Sequence, residues 1–136
     1  MLNVLFERYK SKKKKHSIFY ENEFFEIRNE PLQILQIGID TSLLVWKKYF
    51  QKSNIFCIDK FKYRQPKEYS FLDENRIYWC RGNARNKKEV DDIMKNYWNN
   101  PRFNIIIDIN NNNENFRKYC IGNYYLEENN NVRIIK

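Results

Sequence analysis

Residues 32–61 read LQILQIGIDTSLLVWKKYFQKSNIFCIDKF. The first part, Gln33–Ile39, is almost continuously apolar, which suits a strand covered on both faces of a parallel sheet. Asp40, Thr41 and Ser42 offer oxygens that cap the start of a helix. Leu43, Trp46 and Phe50 follow at spacings of three and four, so one apolar stripe runs along that predicted helix. Asn54–Ile58 is a second strand, closed by Asp59. Strand, turn, helix and strand with a terminal acid make the first half of a nucleotide-binding βαβ unit, which places a ligand at the turn and its ribose on the acid. Gly38 and Asp59 stand 21 residues apart, the separation this fingerprint requires.

Downstream of Asp59 the pattern continues. Residues 60–75 are polar and aromatic and read as a loop. Arg76–Cys80 is a third short strand. Over 86–98, Val90, Ile93, Met94 and Tyr97 recur at helical spacing, and Pro101 ends that helix. Phe103–Asp108 is a fourth apolar strand with an acid at its carboxyl end. Asn110–Asn113 form a run of four asparagines, residues that accept turn geometry, so a loop is expected there. Tyr119–Leu126 and Val132–Ile135 read as further strands around EENNN. Upstream, 2–9 and 17–27 read as helices, the latter aromatic-rich and closed by Pro31, because the residue before proline avoids helical geometry. Strands alternating with helices imply an α/β class: a Rossmann-like three-layer domain with a short, mostly parallel sheet of about four to six strands.

At 136 residues the chain allows one domain with a real core. Hydrophobic residues at 42% argue against wholesale disorder. Asn occurs 20 times and Ala once, at Ala84; a bias toward Lys, Asn, Ile, Tyr and Phe is what an A/T-rich genome produces, such as that of many large DNA viruses. The formal net charge of +8 attracts phosphates and polyanions. Arg8, Lys10, Lys12, Lys13, Lys14 and Lys15 cluster ahead of the rest. They are expected to form a basic N-terminal arm over 1–15, solvated or bound to nucleic acid, before a single domain over 16–136. His16, beside them, is expected to be exposed. Trp46, Trp79 and Trp98 read as core aromatics.

Cys57, Cys80 and Cys120 show no close spacing, which disfavours both a disulfide framework and a zinc site; Cys57 and Cys80 read as buried thiols. The first residues carry their charges after a short apolar run, the reverse of a secretory signal. No segment is apolar for long enough to span a membrane. The expected compartment is the cytoplasm, or a virion if the source is viral.

Four pieces in order, QILQIGIDTSLLVWKKYF, NIFCID, RIYWCRGNARNKKEVDDI and PRFNIIID, resemble the class I S-adenosylmethionine-dependent methyltransferases. The branch most similar is that of the macrolide sugar O-methyltransferases. The likeness covers about 17–113. It implies cofactor-binding roles for Gly38 at the turn, Asp59 on the ribose and Asn83, beside Gly82, on the adenine edge. It also implies departures. Gln36 stands where the family has an acid that orients the methionine end of the cofactor. Ile39, Asp40, Thr41 and Ser42 replace later glycines, and side chains there are expected to obstruct close approach. In the family an acid-rich motif ending in His binds Mg²⁺ or acts as base; here it becomes Asp108, Ile109, Asn110, Asn111 and Asn112. Asp108 is thus the only metal candidate, and a hard cation prefers several carboxylates. Too few residues follow Asp108 to complete the family's seven strands.

These departures lead to the expectation of a truncated, degenerate methyltransferase-fold protein without catalysis or cofactor, acting through binding or structure. The alternatives are an active O-methyltransferase using S-adenosylmethionine, and a nucleic-acid-associated protein acting through Arg8–Lys15. Strands missing from the sheet would leave an open edge, so a homo-oligomer is expected.

Overall fold

The computed structural model describes residues 1–136. Its sheet has six strands, β1 (Gln33–Ile37), β2 (Asn54–Asp59), β3 (Ile77–Arg81), β4 (Phe103–Asp108), β5 (Cys120–Glu128) and β6 (Asn131–Ile135), in the spatial order β3-β2-β1-β4-β5-β6. All neighbours run parallel except the β5–β6 pair. The helices are α1 (Leu2–Arg8), α2 (Ser17–Phe24), α3 (Ser42–Tyr49), α4 (Lys87–Asp92) and the single turn α5 (Asn113–Phe116).

Successive strand residues point to opposite faces, and the apolar runs fill both. One face carries Ile34, Ile55, Cys57, Ile105, Ile107 and Tyr125 against α1, α2 and α3. The other carries Leu35, Ile37, Phe56, Ile58, Ile106 and Tyr124 against α4 and α5. Leu43, Trp46 and Phe50 form the buried stripe that their spacing predicts. Trp46 is the hub of the first face: the rings of Phe6, Tyr20 and Phe24 meet it edge-on, with centroids 5.4, 5.4 and 5.7 Å away, the geometry aromatic quadrupoles favour.

Residues 1–15 are not a free arm. Leu2 and Phe6 of α1 lie wholly inside the core. Ser11 caps a short 3₁₀ turn, Lys12–His16, by accepting from the Lys13 amide. The Lys13 side chain, 2% exposed, donates to both oxygens of Glu127 on β5 at 2.8 and 2.9 Å, and Tyr20 donates to the same carboxylate. Lys15 reaches Asn130 at 2.7 Å. The basic run is therefore strapped across the end of β5 and the turn after it, because Lys13 finds its acceptor on Glu127 and Lys15 on Asn130.

Two further corrections concern aromatic placement. Trp79 is not a core residue: β3 is an outer strand, and Tyr78, Trp79 and Tyr97 stand partly exposed along it, whereas Trp98 is half-buried against the core, its ring 5.0 Å from Phe56. Cys80 on the same strand is half-buried, whereas Cys57 is fully enclosed. Tyr97, expected on the buried face of its helix, faces solvent because α4 widens into a π-helical turn over Ile93–Tyr97, which breaks the 3.6-residue phase.

The chain end forms a hairpin. Asn129 and Asn130 sit between the paired residues Glu128 and Asn131 with φ of 52° and 65°, the positive values a type I′ turn requires and asparagine tolerates. At the β4–β5 junction the register shifts between Phe103 and Ile105. A Cβ on Gly122 would lie 2.0 Å from the Asn104 carbonyl oxygen, so only glycine lets the two backbones approach there.

Candidate functional site

In an open parallel sheet, ligands bind beyond the carboxyl ends of the strands where the strand order reverses. Here that point lies between β1 and β4, and Gly38 leaves β1 at it. Gly38 has φ +103°, a conformation that side chains resist. Its amide donates to the Ile58 carbonyl at 2.9 Å.

Gln36 fixes the turn from below. It is fully buried; its amide nitrogen donates to the Gly38 carbonyl at 2.9 Å and faces the Asp40 carboxylate at 3.3 Å. Its oxygen accepts from the Ser42 hydroxyl at 2.7 Å and the Trp46 indole at 2.8 Å. A carboxylate has no proton for the Gly38 carbonyl, so the amide is what this network needs. Asp40 completes it by accepting from the Ser42 amide at 2.7 Å, starting α3.

Asp59 ends β2 at the opposite lip. One of its oxygens accepts from the Phe61 amide at 3.0 Å, and the other faces the Ile39 amide at 3.5 Å. Each carboxylate oxygen has about two acceptor sites, so capacity remains toward solvent. Asp59 opens on a cavity of about 390 Å³ that Gly38, Gly82 and Asn83 also line. The structure thus brings the three expected cofactor residues, Gly38, Asp59 and Asn83, to one cavity. Asn83 is partly committed: its side-chain oxygen accepts from the Arg85 amide at 3.0 Å.

After Gly38 the side chains of Ile39, Asp40 and Thr41 stand at the wall of a second opening of about 600 Å³, which shares Gly38 and Asp59 with the first; Ile39 also packs against the core.

Asp108 closes β4 on the inside. It is fully buried and accepts from the Asn110 amide at 3.2 Å, from the Asn112 amide and side chain at 2.5 and 3.1 Å, and from the Tyr124 hydroxyl at 2.5 Å. Burial, with the Asp108 charge beside it, pushes the Tyr124 phenol far above its usual range, so it stays a donor. Four bonds occupy the acceptor capacity of one carboxylate. No group of three or more His, Cys, Asp or Glu side chains is placed to hold a metal ion. Asp108, the only metal candidate from sequence, is a loop anchor.

No family model matches the chain, and no curated protein matches it. Solved structures do. The MycE methyltransferase from the mycinamycin biosynthetic pathway, in complex with Mg, SAH and mycinamycin VI, superposes over 94% of this chain and 34% of its own, with 26% identity and a TM-score of 0.74. A second crystal of MycE with Mg and SAH gives 95%, 35%, 26% and 0.75. The fold is that of a class I methyltransferase. The chain resembles the MycE branch in particular and spans about a third of that protein's length. Fibrillarin, a pre-rRNA processing protein of Methanococcus jannaschii, shares the fold over 73% of this chain and 46% of its own, at 16% identity and a TM-score of 0.53.

A class I methyltransferase fold implies an adenosyl cofactor, and the residues here fit its two ends unequally. The nucleoside end fits: Asp59 has free acceptor capacity beside a glycine turn and Asn83. The amino-acid end does not, since Gln36 is spent on Gly38, Ser42 and Trp46. Neither does a metal ion at Asp108.

Sequence reasoning missed His16. It is 6% exposed and lines a third opening, of about 390 Å³, with Lys12, Asp40, Asn110 and Glu127. Burial holds its pKa below the ordinary 6.5; Glu127 opposes this, and Lys15 and Lys13 add to it. The lysine run masked it, because nothing in a row of charges signals that alternate members turn inward. Asn110 lines all three openings and joins them into one cleft across the sheet's carboxyl end.

Proposed function

We propose that this methyltransferase-fold chain binds an adenosyl ligand by its nucleoside end and acts through binding, without metal-assisted methyl transfer. The observation that carries the reading is the contrast between two acids. Asp59 faces an open cavity with Gly38 and Asn83, whereas Asp108 is enclosed and fully bonded. A ribose brings two hydroxyl donors to a carboxylate that can still accept them.

Calorimetric titration with S-adenosylmethionine and with SAH tests this. Saturable binding is expected with Kd on the order of 10 μM, about −7 kcal/mol, unchanged when EDTA replaces Mg²⁺. Asp59→Ala should weaken it by about tenfold or more, since a charged acceptor contributes roughly 1.5–3 kcal/mol. Binding that needs Mg²⁺, or that survives Asp59→Ala undiminished, contradicts the reading.

One observation favours an active, metal-free O-methyltransferase as second reading: His16 is buried beside the cleft and held toward its neutral form, the state a general base needs. On that reading SAH accumulates when the protein meets S-adenosylmethionine and an acceptor, and His16→Asn suppresses it.

A further inference from the structure

Three chain segments far apart in sequence deliver cations to the mouth of the cleft. Lys10 and Lys12 precede α2, Lys60, Lys62 and Arg64 follow β2, and Arg85 follows β3. All six are exposed. Lys60, Lys62 and Arg85 line the opening at Asp59 and Asn83, and Lys10, Lys12 and Arg64 line the adjoining one. None of the six takes part in an ion pair; the lysines that do are Lys13, Lys14, Lys47, Lys87 and Lys118.

Three acids, Asp40, Asp59 and Glu68, line the same two openings and keep their charge while accepting backbone amides. Six cations against three carboxylates leave the balance there positive. Tyr63 stands among these cations, 89% exposed, with the Lys62 ammonium 5.5 Å from its ring centre. An exposed aromatic ring in a basic rim is a platform on which a base can stack.

We infer that the cleft mouth binds a single-stranded nucleic acid, its phosphates on the six cations and one base on Tyr63. A strand fits better than a duplex because an unpaired base is free to stack on Tyr63, whereas the bases of a duplex are already stacked and paired. The Arg8–Lys15 arm expected from sequence is replaced by a rim: Lys13 and Lys14 are paired away, and the cations that remain are assembled by the fold. This inference goes beyond nucleoside binding at Asp59 and stands apart from it, because phosphates and Tyr63 supply its contacts.

Fluorescence anisotropy with a labelled oligonucleotide of about twelve nucleotides, as RNA and as DNA of one sequence, tests it in the full-length chain. With four to six phosphates engaged, log K should fall against log salt with a slope of about −3 to −4. Lys62→Gln with Arg64→Gln should flatten the slope by about 1.4. Tyr63→Ala should lower affinity about tenfold. Lys52→Gln with Arg102→Gln removes two exposed cations just ahead of β2 and β4, at the opposite end of the sheet, and should leave binding nearly unchanged. A preference for the RNA or the DNA arm names the natural strand. Asp59→Ala should weaken adenosyl binding by about tenfold or more and spare the strand, so the two proposals can fail separately. Equal losses from the two double variants, tighter binding to duplex that ignores Tyr63, or binding to anionic vesicles alone overturns the inference.

Discussion

Gln36 occupies the position where the resemblance to methyltransferases expects an acid, and its four contacts together are ones that an amide can make and a carboxylate cannot. The amide both donates and accepts inside a closed network with Gly38, Asp40, Ser42 and Trp46. Introducing an acid by Gln36→Glu leaves the Gly38 carbonyl without a donor and sets a charge beside Asp40. It should cost about 1–3 kcal/mol, read as a lower urea midpoint. Gly38→Ala should cost about 1–2 kcal/mol through its positive φ; the added methyl would also lie 3.2 Å from the Ile109 side chain. His16 carries a pH dependence. Its folded pKa lies below 6.5, so the unfolded chain takes up the proton first as pH falls. Its contribution is complete above about pH 7 and is lost as the pH drops through 6.5 toward the folded value. The urea midpoint should therefore decline from about pH 7.5 to about pH 5.5, and His16→Gln should remove part of that decline; an unchanged profile in the variant contradicts the assignment. At this scale the meeting of Gly38 and Asp59 at one cavity was legible from their spacing. The roles of Gln36, His16 and Asp108 were not, because each depends on partners from other elements.

The elements themselves were largely legible, since apolar runs and helical spacing report burial directly. The strands lie within a residue or two of where the apolar runs put them. Failures came where a tertiary partner decides. The sequence pattern makes Arg76 the first residue of a strand. In the structure it stands just outside β3 with φ 67°, and its guanidinium caps the end of α3 on the carbonyls of Lys47, Phe50 and Ser53 at 2.9, 3.0 and 2.6 Å. The 3₁₀ turn Lys12–His16 shows the same limit: its composition indicates a solvated run, but the acceptors on β5 and the turn after it decide its place. Breaking the strap with Lys13→Ala leaves Glu127 enclosed and unpaired. A loss of about 3 kcal/mol is expected in chemical denaturation, and a double change, Lys13→Met with Glu127→Leu, should recover much of it. If the single variant costs no more than an exposed lysine does, the strap is not structural.

At the scale of the whole molecule, the strand order places one switch point between β1 and β4, and the loops that follow β1, β2, β3 and β4 meet there. The sequence pattern implied a sheet of this class because short apolar strands alternate with helices. It did not show the cleft, since cavity walls come from loops, where no periodicity constrains side chains. The positive charge evident in the composition gains direction only in the fold, which pairs some lysines internally and leaves others around the opening. The same architecture separates two acids that look alike in sequence, each closing an apolar strand: one faces the cleft, the other is sealed beneath Asn112 and Tyr124. The most direct test of that distinction is a crystal structure of the protein grown with saturating SAH and Mg²⁺. The account predicts ordered adenosine between Gly38 and Asn83, both ribose hydroxyls within hydrogen-bond distance of Asp59, and no ion on Asp108. A metal ion bound to Asp108, or a ligand seated away from Asp59, would contradict it.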